Sequence, residues 1–245
     1  MKYYGKEFYK NVEQGAQSSA REILPIIEEL ISPRSVIDIG CGNGAWLAYF
    51  YEKGIKIKGV DGDYVDRSIL KIPAECFFPH DLTQALELNE RYDLAMSYEV
   101  AEHLEERHAD LFIKTLTSFS DVIAFSAAIP HARSTSHFNE QWQSYWALKF
   151  AQVGYNKIDC IRHKIWSNPN VEWWYAQDIL LYANSAALKK YPALTELYKQ
   201  TKHFPLDIVH PRFFIERANP ENYYLVDIIK ALPKILRKII ERKLR

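Results

Sequence analysis

Carboxylates and glycines alternate in one short stretch of this chain, Asp38-x-Gly40-x-Gly42-x-Gly44. The apolar residues Val36, Ile37 and Ile39 around Asp38 read as a strand buried on both faces. Ala45, Trp46, Leu47 and Phe50 after the glycines read as the start of a helix. A glycine turn between a strand and a helix N-terminus is a site for a nucleotide-type ligand. Glycine reaches positive φ and lets a ligand approach the backbone, and the helix N–H groups face that ligand. Two readings of the turn compete. Gly40-x-Gly42-x-x-Ala45, with Asp61 about 20 residues further on, fits the dinucleotide fingerprint. Asp38, an acid in the strand end ahead of the glycines, suits instead a ligand that carries a cationic ammonium group.

These residues need a scaffold, and the chain supplies one by alternation. Strands read near 35–39, 56–60, 75–78, 92–97 and 121–126, and helices near 45–53, 64–70, 83–88 and 102–118. Such βα alternation implies a parallel sheet with helices on both faces. Ligands then sit at the carboxyl ends of the strands. Four groups of residues fall there: Asp38–Gly44, Asp61–Asp63, His80–Leu82 and Ser97–Glu99. Asp61 can accept hydrogen bonds from both hydroxyls of a ribose, while Asp63 suits a helix cap. Asp81 can accept from an adenine amino group, with the Leu82 N–H beside the ring, or cap a helix that starts at Thr83. Ahead of β-type residues, Ser18 and Ser19 are candidate caps for a helix carrying Ile23, Leu24, Ile27, Leu30 and Ile31, with Pro25 near its start. The segment before it holds Tyr3, Tyr4, Phe8 and Tyr9, which can cover a pocket or pack on the sheet edge.

The ordered set Asp38-x-Gly40-x-Gly42-x-Gly44, Gly59-Val60-Asp61, His80-Asp81-Leu82, Tyr92-Asp93-Leu94 and Glu99-Val100-Ala101-Glu102-His103-Leu104 carries a resemblance. It is similar to the class I S-adenosylmethionine (SAM)-dependent methyltransferases, in particular the ubiquinone-biosynthesis O-methyltransferase-like subgroup with its E-x-x-E-H signature. The resemblance covers roughly residues 16–184. It implies an α/β, Rossmann-like, doubly wound fold: a mainly parallel seven-stranded sheet closed by an antiparallel hairpin near 156–161 and 173–183. Helical spacing of Tyr175, Ile179 and Tyr182 leaves a helix open for the latter segment. By the resemblance SAM is the cofactor. Asp38, Gly40 and Gly42 would line its methionine part, Asp61 with Gly62 its ribose, and Asp81 with Leu82 its adenine. Ser97 and Tyr98 would pass the sulfonium through their backbone. His103 would be the general base at the substrate, oriented by Glu99 or Glu102, because an imidazole with an ordinary pKa near 6.5 takes a hydroxyl proton at neutral pH. The other reading of His103 is a structural histidine satisfied by a backbone carbonyl.

Glu99, Glu102 and His103 also resemble the metal-binding E-x-x-E-H of small-RNA 2′-O-methyltransferases, which need one more His; His131, His137 or His163 could supply it. The same block occurs in metal-free relatives, and no resident metal is expected.

A polar loop spans residues 127–146. His131, Arg133, His137, Asn139 and Trp142 are its candidate substrate-binding residues. Imidazole, amide and guanidinium groups bind hydroxyls or phosphate, and aromatic faces stack on sugar C–H surfaces. The block His137-Phe138-Asn139-Glu140-Gln141-Trp142 resembles one in methyltransferases of bacterial surface-glycan gene clusters. The acceptor expected is a sugar, a nucleotide-linked sugar or a phosphate-bearing glycan precursor. The alternatives are a quinone- or phenol-type acceptor and a non-catalytic SAM-binding partner subunit.

Residues 1–184 thus read as the methyltransferase domain, with an N-terminal cap and helix over 1–34, and 185–245 as a C-terminal helical extension. A helix near 187–200 precedes Pro205, Pro211 and Pro220. The last segment is amphipathic, with Ile228, Leu232, Ile235 and Ile239 on one face and lysines and arginines on the others. It could lie on an anionic membrane surface; packing on this domain or in a homodimer is the expectation. Equal numbers of basic and acidic residues, 31 each, give no overall attraction to nucleic acid. Three cysteines without C-x-x-C spacing suit a reduced, cytoplasmic setting. The N-terminus has no secretory h-region, and no apolar run is long enough to span a bilayer.

Overall fold

The computed structural model of the protein describes residues 6–132, 134 and 136–243; Tyr3, Tyr4 and Arg133 lie outside them. The backbone clusters into two units, one up to Ile208 and one from Val209 onward.

The first unit is built on seven strands: β1 (Ser35–Ile39), β2 (Lys56–Asp61), β3 (Phe77–Pro79), β4 (Leu94–Tyr98), β5 (Val122–Ser126), β6 (Tyr155–Ile158) and β7 (Leu180–Asn184). They form one sheet in the order β3-β2-β1-β4-β5-β7-β6. β7 runs antiparallel to β5 and β6, and every other pair is parallel. This is the mainly parallel, Rossmann-like doubly wound sheet that the sequence implies. Strand order runs outward in both directions from β1 and β4, which opens a crevice at their carboxyl ends.

Helices cover both faces: α1 (Lys6–Ile31), α2 (Leu47–Glu52), α3 (Ala109–Phe119), α4 (Gln143–Gln152), α5 (Arg162–Ile165), α6 (Trp173–Asp178), α7 (Ser185–Lys190) and α8 (Pro192–Thr201). Successive strand residues point to opposite faces. Val36, Leu94, Met96 and Ala124 accordingly meet Ile23, Leu24 and Ile27 of α1 and Phe50 of α2 in one apolar layer. Ile37, Ala95, Ile123 and Phe125 meet Phe112 and Leu116 of α3 and Trp146 and Phe150 of α4 in the other. α7 and α8 belong to this unit, since Ala187 and Leu194 are buried in the first layer.

Several local expectations are corrected. α1 begins at Lys6 and continues through Pro25, so Ser18 and Ser19 lie inside it rather than capping it. They brace a distant loop: Ser18 Oγ donates to the Asn170 carbonyl at 2.5 Å and Ser19 Oγ accepts from Glu172 N–H at 3.0 Å. The 64–70 segment makes only a 3₁₀ turn at Arg67–Ile69, capped by Asp66. No helix forms over 83–88, because Leu86 and Leu88 enter the core two residues apart, which is an extended spacing. The 102–118 helix starts late. Two 3₁₀ turns, Ala101–His103 and Glu106–His108, precede α3. The stretch 173–183 divides into α6 and β7, and 187–200 divides between α7 and α8 at Pro192. Proline suits the first position of a helix and cannot continue the one before it.

The second unit contains α9 (Pro211–Ala218), whose N-cap His210 accepts from Arg212 N–H, and α10 (Leu225–Lys243). Among the described residues no helix is long and apolar enough to cross a membrane.

Candidate active site

The glycine turn has the backbone its composition requires. Gly40 and Gly42 have φ of +87° and +54°. A Cβ on Gly40 would lie 2.4 Å from Val100 Cγ2, so no side chain fits there. Asp61, at the end of β2, ties the turn in place. Its carboxylate accepts from Gly42 N–H at 2.7 Å, Gly62 N–H at 2.6 Å and the Tyr64 hydroxyl at 2.6 Å. Asp38 is buried beside it, and desolvation followed by the Asp61 charge pushes the Asp38 pKa well up. Asp61 is met by those three donors, whereas burial penalises the charge of Asp38 and suits a ligand cation there. A ligand ammonium beside Asp38 supplies one, so the residues present fit SAM.

Three aromatic rings gather near Asp38. Trp46, Tyr98 and Tyr175 lie with centroids 4.3 Å (Trp46–Tyr98) and 5.0 Å (Trp46–Tyr175) apart. The Tyr98 hydroxyl and the neighbouring Ser97 hydroxyl are buried without a hydrogen-bond partner. Ring faces attract cations. Trp46 and Tyr175 were not legible as site residues: Trp46 reads as an ordinary helix position and Tyr175 as part of the final hairpin strand, with a helix as the alternative.

Asp81 is exposed and its carboxylate binds Thr83 N–H at 2.9 Å and Thr83 Oγ1 at 2.8 Å, which lowers its pKa. It therefore caps a turn rather than the helix envisaged at Thr83, and Leu82 beside it packs on the core.

The strongest electrostatic feature follows β4. Glu99 has φ +55°, a conformation costly for a side-chain-bearing residue and concentrated at functional sites. β5 holds it there: Glu99 N–H donates to the Ser126 carbonyl at 3.1 Å and Ser126 Oγ donates to Glu99 Oε1 at 2.7 Å. Glu102 follows in the 3₁₀ turn and is fully buried, with both carboxylate oxygens lacking a hydrogen-bond partner. The amides of Glu102 itself and of Ala128 lie near it and pull its pKa down slightly, without reaching hydrogen-bonding geometry. Burial first, and the Glu99 charge second, push Glu102 well above the usual carboxylate range. Asp178 at the end of α6 is raised too, by burial and then by Glu99.

His103 and His137 complete this cluster. Ligand-type atoms of Glu102, His103 and His137 all lie within 4.8 Å of one another, and the two imidazole rings meet edge to face at 4.7 Å. His103 Nδ1 lies 3.0 Å from the Ser136 carbonyl oxygen, which can only accept. Nδ1 therefore carries the hydrogen and Nε2 keeps its lone pair. Burial, then His137, lower the His103 pKa to about 4, so the ordinary value near 6.5 expected from sequence is corrected downward. His137 Nδ1 pairs with Glu140 Oε1 at 2.9 Å.

The loop residues divide. His137 joins the cluster. Asn139 is buried and anchors the loop, its N–H donating to the Glu102 carbonyl at 3.0 Å and its Oδ1 accepting from Gln141. His131 is exposed, with its N–H on Glu140 Oε2. Trp142 and His163 are exposed, and His163 is not among the grouped donor atoms. Asp178 and Ser126 belong to the cluster unannounced by any motif.

Comparison with known proteins gives a consistent picture. A family model described as a methyltransferase domain matches residues 12–176. Among solved structures, the chain is similar to CalS10, a SAM-bound amino pentose methyltransferase from Micromonospora echinaspora, at 10% identity over 75% of this chain and 98% of that one, with TM-score 0.55. It is similar to the sugar N-methyltransferase KedS8 from Streptoalloteichus sp ATCC 53650 at 12% identity over 75% and 96%, TM-score 0.54. It is also similar to magnesium protoporphyrin IX methyltransferase (ChlM) from Synechocystis PCC 6803 with bound SAH, at 17% identity over 74% and 90%, TM-score 0.53. A search of curated proteins finds no match. At these identities the structural likeness speaks for the fold.

Proposed function

Because the chain belongs to the methyltransferase-domain family and is a SAM-dependent methyltransferase, we propose that it methylates a hydroxyl of a small polar acceptor: a sugar, a nucleotide-linked sugar or a phosphate-bearing glycan precursor. The observation that carries this reading is His103. Its tautomer, set by the Ser136 carbonyl, places the basic nitrogen at Nε2, and its lowered pKa keeps the ring neutral at physiological pH.

SAM supplies the electrophilic methyl group. Asp38 holds a cationic ligand group, and Asp61 with the Gly42 and Gly62 amides fixes the ribose side. The Trp46, Tyr98 and Tyr175 rings exclude water from the buried end of the crevice. His103 takes the acceptor's proton while the Ser136 carbonyl holds its imidazole, and Glu99 and the buried Glu102 are the acids of the same block. His137 stands on the acceptor side, with Asn139 anchoring the loop behind it; His131, Arg133 and Trp142 are the further acceptor contacts proposed from the sequence. The sugar class is further supported by the likeness to KedS8, a sugar N-methyltransferase, and CalS10, an amino pentose methyltransferase. Transfer from labelled SAM to a panel of sugars, nucleotide sugars, amino sugars and phenols tests the proposal. Transfer to sugar hydroxyls is expected; labelling of amino sugars alone or of phenols alone overturns it.

A second reading of the same cluster is favoured by Glu102. A buried carboxylate with both oxygens unpartnered, beside two imidazoles, is the donor set of a divalent transition-metal site. Ser136 and Glu140 orient the two rings as outer partners do in such sites. His103 would then serve as ligand rather than base. Thermal melting of the protein with and without Mn²⁺, and turnover after chelation, separate the readings: the metal reading requires a cation-dependent rise in melting temperature that Glu102→Gln abolishes.

A further inference from the structure

α10 is divided almost in half by chemistry. At 3.6 residues per turn, Ile228, Ile229, Leu232, Ile235, Leu236 and Ile239 fall within about 120° of arc, and Ile240 and Val226 extend it to roughly half the circumference. All eight are 40% to 60% exposed. The opposite arc carries Lys230, Lys234, Arg237 and Lys238. Over Leu225–Lys243 there are six basic residues and two acidic ones, Asp227 and Glu241, a balance of +4 in a protein whose net charge is zero. Lys230 and Arg237 border one edge of the apolar arc and Arg242 the other. The helix lies beyond the residues that the methyltransferase family model matches.

We infer that α10 is an interfacial helix that docks the enzyme on an anionic lipid bilayer, with its isoleucine-rich face in the acyl boundary and its lysines and arginines at the headgroups.

Three features select this occupant. The apolar arc is too wide for a two-helix seam, which needs only a narrow stripe. Self-association would bring basic borders against basic borders, whereas coiled-coil borders carry opposite charges; anionic headgroups are complementary to both edges. Long basic side chains at the edges of an apolar face keep their ends in the headgroup layer while their stems lie on the acyl chains. The six basic residues also keep the helix from spanning the bilayer, in line with the lack of a membrane-crossing helix among the described residues.

The test is cosedimentation of the full-length protein with vesicles of phosphatidylcholine alone and of phosphatidylcholine with phosphatidylglycerol. Each basic residue near an anionic surface contributes enough that binding to the mixed vesicles should be at least about tenfold stronger and should weaken in high salt. Ile235→Asp with Ile239→Asp should abolish binding through the apolar face. Lys230→Glu with Lys234→Glu and Lys238→Glu should abolish the preference for phosphatidylglycerol without touching that face. SAM binding by calorimetry should be unchanged in both variants, showing that the catalytic unit is folded. Equal, salt-insensitive binding to both vesicle types overturns the inference. So does an absence of binding to either vesicle type; a wild-type dimer that Ile235→Asp with Ile239→Asp converts to a monomer would then make the face a self-association surface.

Discussion

Two groups of buried charges lie in the same unit and are treated in opposite ways. At the end of β6, Asp159 and Arg162 form a two-point ion pair, at 3.0 Å from Nε and 2.6 Å from Nη2. The remaining guanidinium donors reach the carbonyls of Gln177, Pro205 and Leu206. Past β4 and α6, the acids Glu99, Glu102 and Asp178 share a buried space. There Glu102 has no hydrogen-bond partner, and both Glu102 and Asp178 are pushed far from their ordinary pKa. The first group closes on itself and needs nothing from outside. The second is complete only when something else arrives: a proton, an acceptor hydroxyl or a cation. Removing a residue from the first group should therefore cost stability, and removing one from the second should cost function.

The largest effect is expected at His103. His103→Ala should lower kcat by roughly 10²–10⁴ and leave SAM affinity nearly unchanged. Its melting temperature should stay close to wild type. In the wild type, activity should gain nothing from raising the pH through 6.5, because the acid limb belongs to a histidine lowered to about 4. A wild-type rate in the variant removes this residue from the mechanism.

Next in size is Arg162. Arg162→Ala leaves Asp159 buried without its cation and the Pro205 carbonyl without its donor, so unfolding free energy should fall by about 3–5 kcal/mol. Denaturant melting measures it. The catalytic rate per folded molecule should be close to wild type, and a selective loss of turnover at unchanged stability would contradict the comparison. Smaller again, Asp61→Ala should weaken SAM binding by on the order of 1–3 kcal/mol by calorimetry, since ribose hydroxyls lose a charged acceptor.

The sequence showed one of these two groups far better than the other. The glycine turn, Asp61 and the Glu99-x-x-Glu102-His103 block are local in sequence, and backbone periodicity places each at a strand end. Asp178, Ser126 and Tyr175 reach the same space from α6 and β5, and no spacing rule links them to β4. Arg162 was equally silent: its partners lie 15, 43 and 44 residues away, with only Asp159 nearby. The short helices failed for a related reason. At 83–88 the helical composition is overridden by two leucines that reach the core from an extended chain, and at 64–70 Asp66 binds Ser68 and stops the chain after one 3₁₀ turn.

The smallest expected effect has the opposite sign to that at Arg162, which is what makes it informative. Glu102→Gln removes a buried ionisable group and keeps its shape. The wild-type carboxyl binds its proton more tightly folded than unfolded, through desolvation and then Glu99. Between the unfolded pKa and the raised folded one, the native state holds more protons, so stability falls as pH rises through that window. The stabilising contribution is fully present below the ordinary glutamate value and is lost above it. Glutamine has no such proton, so the variant should show a flatter stability–pH curve and, at alkaline pH, a gain of about 1 kcal/mol over wild type. Turnover should fall at the same time, because the carboxyl within 4.8 Å of the His103 and His137 ring nitrogens is lost from the site. Stability and activity moving apart at Glu102, while an Asp159→Asn variant loses stability, would establish that the unpartnered acid is there for the reaction and the ion-paired one for the fold. A Glu102→Gln protein that melts lower than wild type at every pH would mean that Glu102 is held by contacts as firm as those of Arg162.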